Sequence, residues 1–455
     1  MAFKPSVMVA GLCLLCGLAT GQPPKNIILM IGDGMGFAHV EAAGMYLNGS
    51  PGTLSFEALP YQGEVTTLNY SDLITDSAAA ATAMATGFKV ANGTISVAQP
   101  PPSAAYDWGD PLPTLGEIFG AQAKRLGLVS TSYMTDATPA AFAAHATSRS
   151  DYSNIASDYF TQTQPNVLLG GGGNGMSTAG AVAAGYTVVT NRDQMQAINT
   201  DAVTYLSGQF GSGVMPYESA GLGDLPHLTQ MSVTALDILD NAAAGFFLMV
   251  EGGRIDHGAH INSINDVVLE TIEFASAVQT AIDWASGRDD TLIIVTADHE
   301  TGGLSVLENG GQGLLPLVSW SSGGSHTAAN VPVYAWGPNA ELVSGVIDNT
   351  DLFHIVQASG VASDFNGDAI VNLLDINPFV LAIVDAPAFD EAYPNVFLQQ
   401  ADPNGDGQVN LLDIVPFVAA LSGGATADVP EPTTAMWLGL GAIVFARGRR
   451  FGSTH

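Results

Sequence analysis

The sequence predicts an α/β fold, a three-layer α/β/α sandwich around a mostly parallel central sheet, followed by a small helical module. Three observations carry that expectation. Apolar runs at Asn26–Ile31, Gly245–Val250 and Thr291–Thr296 are continuous rather than alternating. Strands buried on both faces read this way, and they belong to parallel sheets covered by helices. Of the 455 residues, 47% are apolar, enough for sizeable cores in two or three folded units. From Val361 to Asp428 the composition changes abruptly, to ten acids and no Lys or Arg.

Lys plus Arg number 12 against 43 Asp plus Glu, a net charge of −31. That balance argues against nucleic acid as a partner. At the amino end Lys4 precedes thirteen apolar or small residues, Val7 to Ala19, closing on Ala19, Thr20 and Gly21. This is the pattern of a secretory signal over residues 1–21. Cys13 and Cys16 both lie within it, so the exported chain has no disulfide. At the other end Val429-Pro430-Glu431-Pro432-Thr433 leads into an apolar stretch, Ala435 to Ala446, then Arg447, Arg449 and Arg450. Twelve apolar residues fall short of the roughly 20 of a stable membrane span, so a transient stop is the better reading. The order of these features resembles PEP-CTERM sorting tails. It implies that residues 424–455 are a linker and tail recognised by PEP-CTERM processing machinery, on a protein exported to the periplasm, cell envelope or exterior.

Within the acidic stretch, Asp364-Phe365-Asn366-Gly367-Asp368 and Asp402-Pro403-Asn404-Gly405-Asp406 each continue into Val-Asn-Leu-Leu-Asp-Ile, ending at Ile376 and Ile414. Oxygen ligands at loop positions one, three, five and twelve suit a hard cation, and calcium fits that chemistry. The copies resemble dockerin loops. The resemblance implies calcium ligands at Asp364, Asn366, Asp368 and Asp375, and at Asp402, Asn404, Asp406 and Asp413, in a module spanning 361–423 that docks to a cohesin-like protein. Ala369 replaces the loop glycine that Gly407 retains, so the first site is expected to be the weaker.

Residues 22–360 form the expected catalytic domain. Ligands of parallel sheets gather at the carboxyl ends of strands. Gly32-Asp33-Gly34-Met35-Gly36 follows the first apolar run, Glu251-Gly252-Gly253-Arg254-Ile255-Asp256-His257-Gly258-Ala259-His260 the second, and Asp298-His299-Glu300 the third. Asp256 and His260, four apart, share a face if helical. Mixed Asp and His ligation favours zinc over calcium. Asp76-Ser77 precedes an Ala-rich run ending at Gly87, which places Ser77 at a helix amino end that favours an anion. A hydroxyl beside a metal becomes a nucleophile at mild pH.

These strings, with Asp136-Ala137-Thr138-Pro139-Ala140, Thr147-Ser148-Arg149 and His326-Thr327, stand in the order of the alkaline phosphatases, and residues 23–360 resemble that family. The resemblance implies hydrolysis of phosphate monoesters through a phosphoserine at Ser77, with Arg149 clamping two phosphate oxygens. It implies one zinc on Asp256, His260 and His326, a second on Asp33, Asp298 and His299, and magnesium on Asp33, Thr138 and Glu251. Asp136 and His257 are the cofactor-binding positions at which the family varies. Asp136 follows the bacterial choice, and His257 stands where the enterobacterial pattern has lysine and the animal one histidine. Only 26 residues separate His299 from His326, which implies an open, sparsely decorated site. The family is commonly a homodimer, and no residue here demonstrates one.

Two other functions fit less well. A phosphodiesterase or sulfatase of the same superfamily would lack Arg149 or carry a Cys/Ser-x-Pro-x-Arg string. A calcium-dependent scaffold without turnover would not need every metal position and the serine. His39, His227 and His354 read as packing or surface residues, and His145, four before Arg149, as a buttress for that arginine.

Overall fold

The computed structural model describes residues 24–71, 73–99, 107–357, 365, 373–393, 403 and 409–421. The expected secretory signal, the expected sorting tail and the loop positions Asp364, Asn366, Asp368, Asp402, Asn404 and Asp406 lie outside the described residues. The chain divides into two compact units between positions 361 and 362. Among the described residues no helix is long and apolar enough to cross a membrane.

In the larger unit the strands run β1 (Asn26–Ile31), β2 (Tyr61–Thr66), β3 (Arg125–Tyr133), β4 (Val167–Gly171), β5 (Thr187–Val189), β6 (Leu206–Gln209), β7 (Phe246–Glu251) and β8 (Thr291–Thr296). Four short strands follow, β9 (Glu300–Thr301), β10 (Leu304–Glu308), β11 (Leu317–Trp320) and β12 (His326–Thr327), before β13 (Val331–Trp336) and β14 (Gly345–Asp348). Ten of these form one sheet in the order β14-β2-β13-β8-β1-β7-β3-β4-β6-β5. Only β13 runs against its neighbours, pairing antiparallel with β2 and β8.

The three apolar runs are β1, β7 and β8, neighbours at the centre of the sheet, with every residue buried. Their side chains point to both faces, so the sheet needs helical cover on each. Register matters for function. Ile31 lies opposite both Thr296 and Glu251, and Glu251 lies opposite Ser130 of β3. The segments that follow β1, β3, β7 and β8 therefore leave the sheet side by side at one edge.

The long helix Ile264–Ala285 packs against the helices Phe37–Asn48 and Leu228–Leu239, and Glu270 sits on its buried face. Burial lifts the Glu270 carboxyl to about 8, against the opposing hydrogen bond it accepts from the Glu218 N–H at 2.8 Å. An unfolded glutamate titrates near about 4.3. The folded state therefore keeps a proton that the unfolded state has lost, and stability falls as pH rises from about 4 through 8. Glu270→Gln keeps the acceptor oxygen and removes the titration. Variant and parent should melt together near pH 3, below both values, and the variant should become progressively more stable between pH 5 and 8, by up to about 1.4 kcal/mol per pH unit and with a rising Tm. A gap that stayed constant with pH would refute this account.

The smaller unit contains the helices Ile376–Val384, Ala386–Ala392 and Ile414–Leu421. Phe365, Phe379, Ala382, Phe389 and Phe417 form its core. Phe379 and Phe417 hold the same place in the two sequence copies, and their rings meet with centroids 4.1 Å apart. The internal repeat is thus a packing device, each copy covering the apolar face of the other.

Candidate active site

Three elements at the sheet edge set the positions of the polar residues. After β1 the chain turns through Gly34 at φ +70°, where a Cβ would lie 2.8 Å from Thr301 Oγ1 and 2.9 Å from Asp256 Oδ1. Only glycine fits that turn. The Gly34 N–H donates to Asp298 Oδ1 at 3.0 Å, tying the loop after β1 to the loop after β8. After β7 the short helix Arg254–His260 begins, and it places Asp256 and His260 on one face as their spacing requires, with Asp256 Oδ2 3.1 Å from His260 Nε2.

Two groups of ligand-type atoms converge here. Asp256, His260 and His326 form one, and Asp33, Asp298 and His299 the other, each with its atoms within 4.8 Å of one another. The groups adjoin, because the rings of His299 and His326 stack with centroids 3.6 Å apart. In all three histidines the outer nitrogen is engaged. His260 Nδ1 donates to the Gly324 carbonyl at 2.6 Å, His326 Nδ1 donates to the Thr75 carbonyl at 2.9 Å, and His299 Nδ1 lies 3.2 Å from Thr301 Oγ1. The Thr301 hydroxyl hydrogen goes to Asp256 at 2.6 Å, so Thr301 receives the His299 N–H. Each Nε2 thus presents a lone pair inward, and those of His260 and His326 face each other at 3.3 Å. A cation between them relieves that arrangement.

Ser77 opens the helix Ser77–Thr86 and is buried, with its Oγ 3.3 Å from His299 Nε2. Asp76 caps this helix by accepting from the Ala79 N–H at 3.0 Å. Its other oxygen accepts from the Gly93 N–H and from Arg149 Nη1 at 3.1 Å, while Arg149 Nη2 donates to Asp136 at 3.1 Å. Burial alone would lower the guanidinium's pKa, and Asp136 and Asp76 outweigh it and hold it above the ordinary value. Arg149 is therefore a fixed cation, gripped from both sides beside the Ser77 helix.

The alkaline phosphatase family model matches residues 24–319 and 316–361. The chain belongs to the alkaline phosphatase family. It is 32% identical to alkaline phosphatase 3 of Bacillus subtilis, over 72% of this chain and 87% of that one. It is 34% identical to the streptomycin-6-phosphate phosphatase of Streptomyces griseus, over 74% and 90%. The solved alkaline phosphatase of the Antarctic bacterium TAB5 superposes with a TM-score of 0.65 at 29% identity, covering 74% of this chain and 99% of that one. The protein is accordingly a metal-dependent phosphatase with the family's α/β fold.

The donor set of this phosphatase fits cations. Asp33 Oδ1, Thr138 Oγ1 and Asp298 Oδ2 are buried without a hydrogen-bond partner. Burial first, then Asp298, Asp256, Glu251 and Asp136, push the Asp33 carboxyl well above its ordinary range. Burial likewise lifts Glu251 to about 8 and Asp298 to about 6. Two unit charges 4 Å apart repel by about 4 kcal/mol at an effective dielectric near 20. Five such carboxylates around one arginine need further positive charge, and divalent metal ions supply it.

Ser77, Arg149, Asp136, Asp33, Thr138, Glu251, Asp256, His257, His260, Asp298, His299 and His326 all lie at this edge or on the elements that leave it. Of the positions expected to bind calcium, Asp375 and Asp413 are described, and both are fully buried in the smaller unit. His145 departs from expectation. Its nitrogens engage Glu117 at 3.0 Å and the Ser96 carbonyl at 2.7 Å, not Arg149, because no helix joins positions 145 and 149. Among the other histidines, His39 is fully buried, whereas His227 caps the helix Leu228–Leu239 and pairs with Glu218 at 2.9 Å. With Glu273 these two make a third cluster, already linked through hydrogen bonds such as that from the Thr229 N–H to Glu273.

Some supporting residues gave no sequence signal. Thr301 links Asp256 of one group to His299 of the other. Ser130 donates to Glu251, and Ser132 to Asp136. Asn92 accepts from the Asp76 N–H at 3.2 Å and donates to the Ile74 carbonyl at 3.0 Å, bracing the strand of chain before Ser77. Glu300, beside Asp298 and His299 in sequence, faces away to accept from the Gly303 and Leu304 N–H groups and Thr327. It shapes the turn that carries β12 and His326.

Proposed function

We propose that the larger unit is a phosphomonoesterase that transfers the phosphoryl group to Ser77 and then to water. The observation that carries this reading is the meeting of Ser77 Oγ, a helix amino end, the braced Arg149 and the two ligand groups at one sheet edge. Asp256, His260 and His326 would hold one zinc, Asp33, Asp298 and His299 a second, and Asp33, Thr138 and Glu251 magnesium. Bound there, the metals lower the pKa of the serine hydroxyl and the incoming water and stabilise charge on the leaving oxygen.

The chain's own residues do the rest. The two Arg149 Nη groups orient the phosphate oxygens through charge-assisted hydrogen bonds, with Asp76 and Asp136 fixing the fork. The N–H groups at the start of the Ser77 helix add favourable potential for the anion. Ser77 Oγ bonds to phosphorus as the ester P–O bond breaks, and the alcohol leaves on the far side. Water then attacks the phosphoserine from that side, releasing inorganic phosphate and restoring the hydroxyl.

Purified protein should hydrolyse an aryl phosphate monoester at least about 100-fold faster than the matching diester. Activity should vanish on chelation and return with zinc plus magnesium. A preference for the diester, or full turnover in chelator after verified metal removal, would overturn this reading.

For the smaller unit we propose calcium binding in the two repeated loops and docking to a cohesin-like partner. Two features support it. Asp375 and Asp413 are fully buried carboxylates at the loops' closing position, accepting from the Phe365 and Asn410 N–H groups. Leu373, Leu374, Leu411 and Leu412, just before them, are 68–76% exposed, an apolar pair per copy. Calorimetry should find two calcium sites, the weaker lost in Asp375→Ala and the tighter in Asp413→Ala. Two sites of equal affinity, or none, would contradict the assignment.

A further inference from the structure

Arg254 begins the short helix that carries Asp256, His257 and His260, and its role differs from that of Arg149. It is only 9% exposed. Its guanidinium carbon lies 3.6 Å from the centroid of the Tyr217 ring, a stacked cation–π contact. Its Nη1 lies 2.8 Å from His257 Nδ1. Arginine can only donate, so His257 Nδ1 must offer its lone pair, and the ring proton of the neutral imidazole sits on Nε2.

One turn further along, His260 is held the opposite way. Its Nδ1 donates to the Gly324 carbonyl, which leaves a lone pair on Nε2. A carbonyl partner makes a histidine ready to ligate a metal, and a guanidinium partner makes it a hydrogen-bond donor. We propose that Arg254, steadied by Tyr217, is a positioning residue that locks His257 in the Nε2–H tautomer, so that His257 serves the phosphatase site as a donor to the phosphate anion and not as a metal ligand. The donor role rests on the phosphomonoesterase reading above. The tautomer rests on geometry alone. His257 follows Asp256 on the helix that supplies the outer ligand group, and that group adjoins His299, the neighbour of Ser77 Oγ, through the stacked His326 ring.

The test uses the full chain loaded with zinc and magnesium and labelled with 15N-histidine. Its nine histidines can be resolved by long-range proton–nitrogen correlation, with His257→Gln identifying the His257 signals. Wild type should show a pyridine-like Nδ1 and a protonated Nε2 at His257. Arg254→Met should yield a mixture of tautomers and weaken inorganic phosphate binding about 3- to 10-fold. Arg254→Lys, which also donates, should restore most of both. Tyr217→Leu, which leaves Arg254 in place, should give an intermediate result. A wild-type His257 protonated on Nδ1, or an Arg254→Met protein unchanged in both spectrum and phosphate affinity, would overturn the proposal. The expected tautomer in a protein that binds no phosphate would support the lock and sink the phosphomonoesterase reading instead.

Discussion

Ser77→Ala is expected to lower turnover of an aryl phosphate by about 10³-fold or more while leaving inorganic phosphate bound. The size follows from what the substitution removes. Ser77 Oγ lies against the inward nitrogen of His299, Nε2, at 3.3 Å, at the amino end of its helix. Neither Thr75 nor Thr301 takes its place by a side-chain rotation, because Thr75 donates to the Asp76 carbonyl and Thr301 is committed to Asp256. Binding survives because the anion's partners are elsewhere. Arg149 keeps both carboxylates, and the helix keeps its cap through Asp76, which accepts from Ala79 and not from Ser77. Rapid quench with labelled substrate should trap a phosphoprotein in the parent and none in the variant. Parental rates in Ser77→Ala, or a labelled variant, would show that another group takes the phosphoryl.

The second large effect is expected at Asp33. Asp33→Asn keeps the shape of the side chain and removes one negative charge from the centre of the acid cluster. Asp33 Oδ1 is buried, lacks a hydrogen-bond partner and lies 3.6 Å from His299 Nε2. In the proposed assignment it serves two metals at once. Metal content after gel filtration should fall by more than one ion per chain, and turnover by at least about 100-fold. Glu300→Gln is the control. That residue is also a carboxylate near in sequence to the ligands, yet it accepts from the turn at Gly303 and Leu304, so its loss should lower Tm and leave the metal content intact. Loss of a single ion in Asp33→Asn would refute the bridging role.

Much of this was legible in the sequence, for a physical reason. β1, β7 and β8 are buried on both faces, so their apolar runs have no polar interruptions, and the abrupt polar residues after them mark the sheet edge where function sits. The antiparallel course of β13 was not legible, since direction within a sheet leaves no trace in a strand's composition. His145 misled because a spacing of four implies contact only on a helix, and that stretch is a turn and an extended segment. Thr301, Ser130, Ser132 and Asn92 act through hydrogen bonds to residues far along the chain. A serine that orients a carboxylate 121 positions away looks like any other serine until the fold is known.

The ligand groups differ in how firmly the chain holds them. Asp33, Asp298 and His299 are buried at the tips of central strands. His260 has 42% of its side chain exposed, and His326 belongs to the two-residue strand β12, paired only with β9. Under the proposed assignment the metal on the outer group should exchange with the surroundings faster than its inner neighbour. In a zinc-poor medium the outer position would empty first and turnover would fall before the fold is lost. Catalytic rate would then report the free zinc around the protein, rising and falling with supply while the inner ion stays in place.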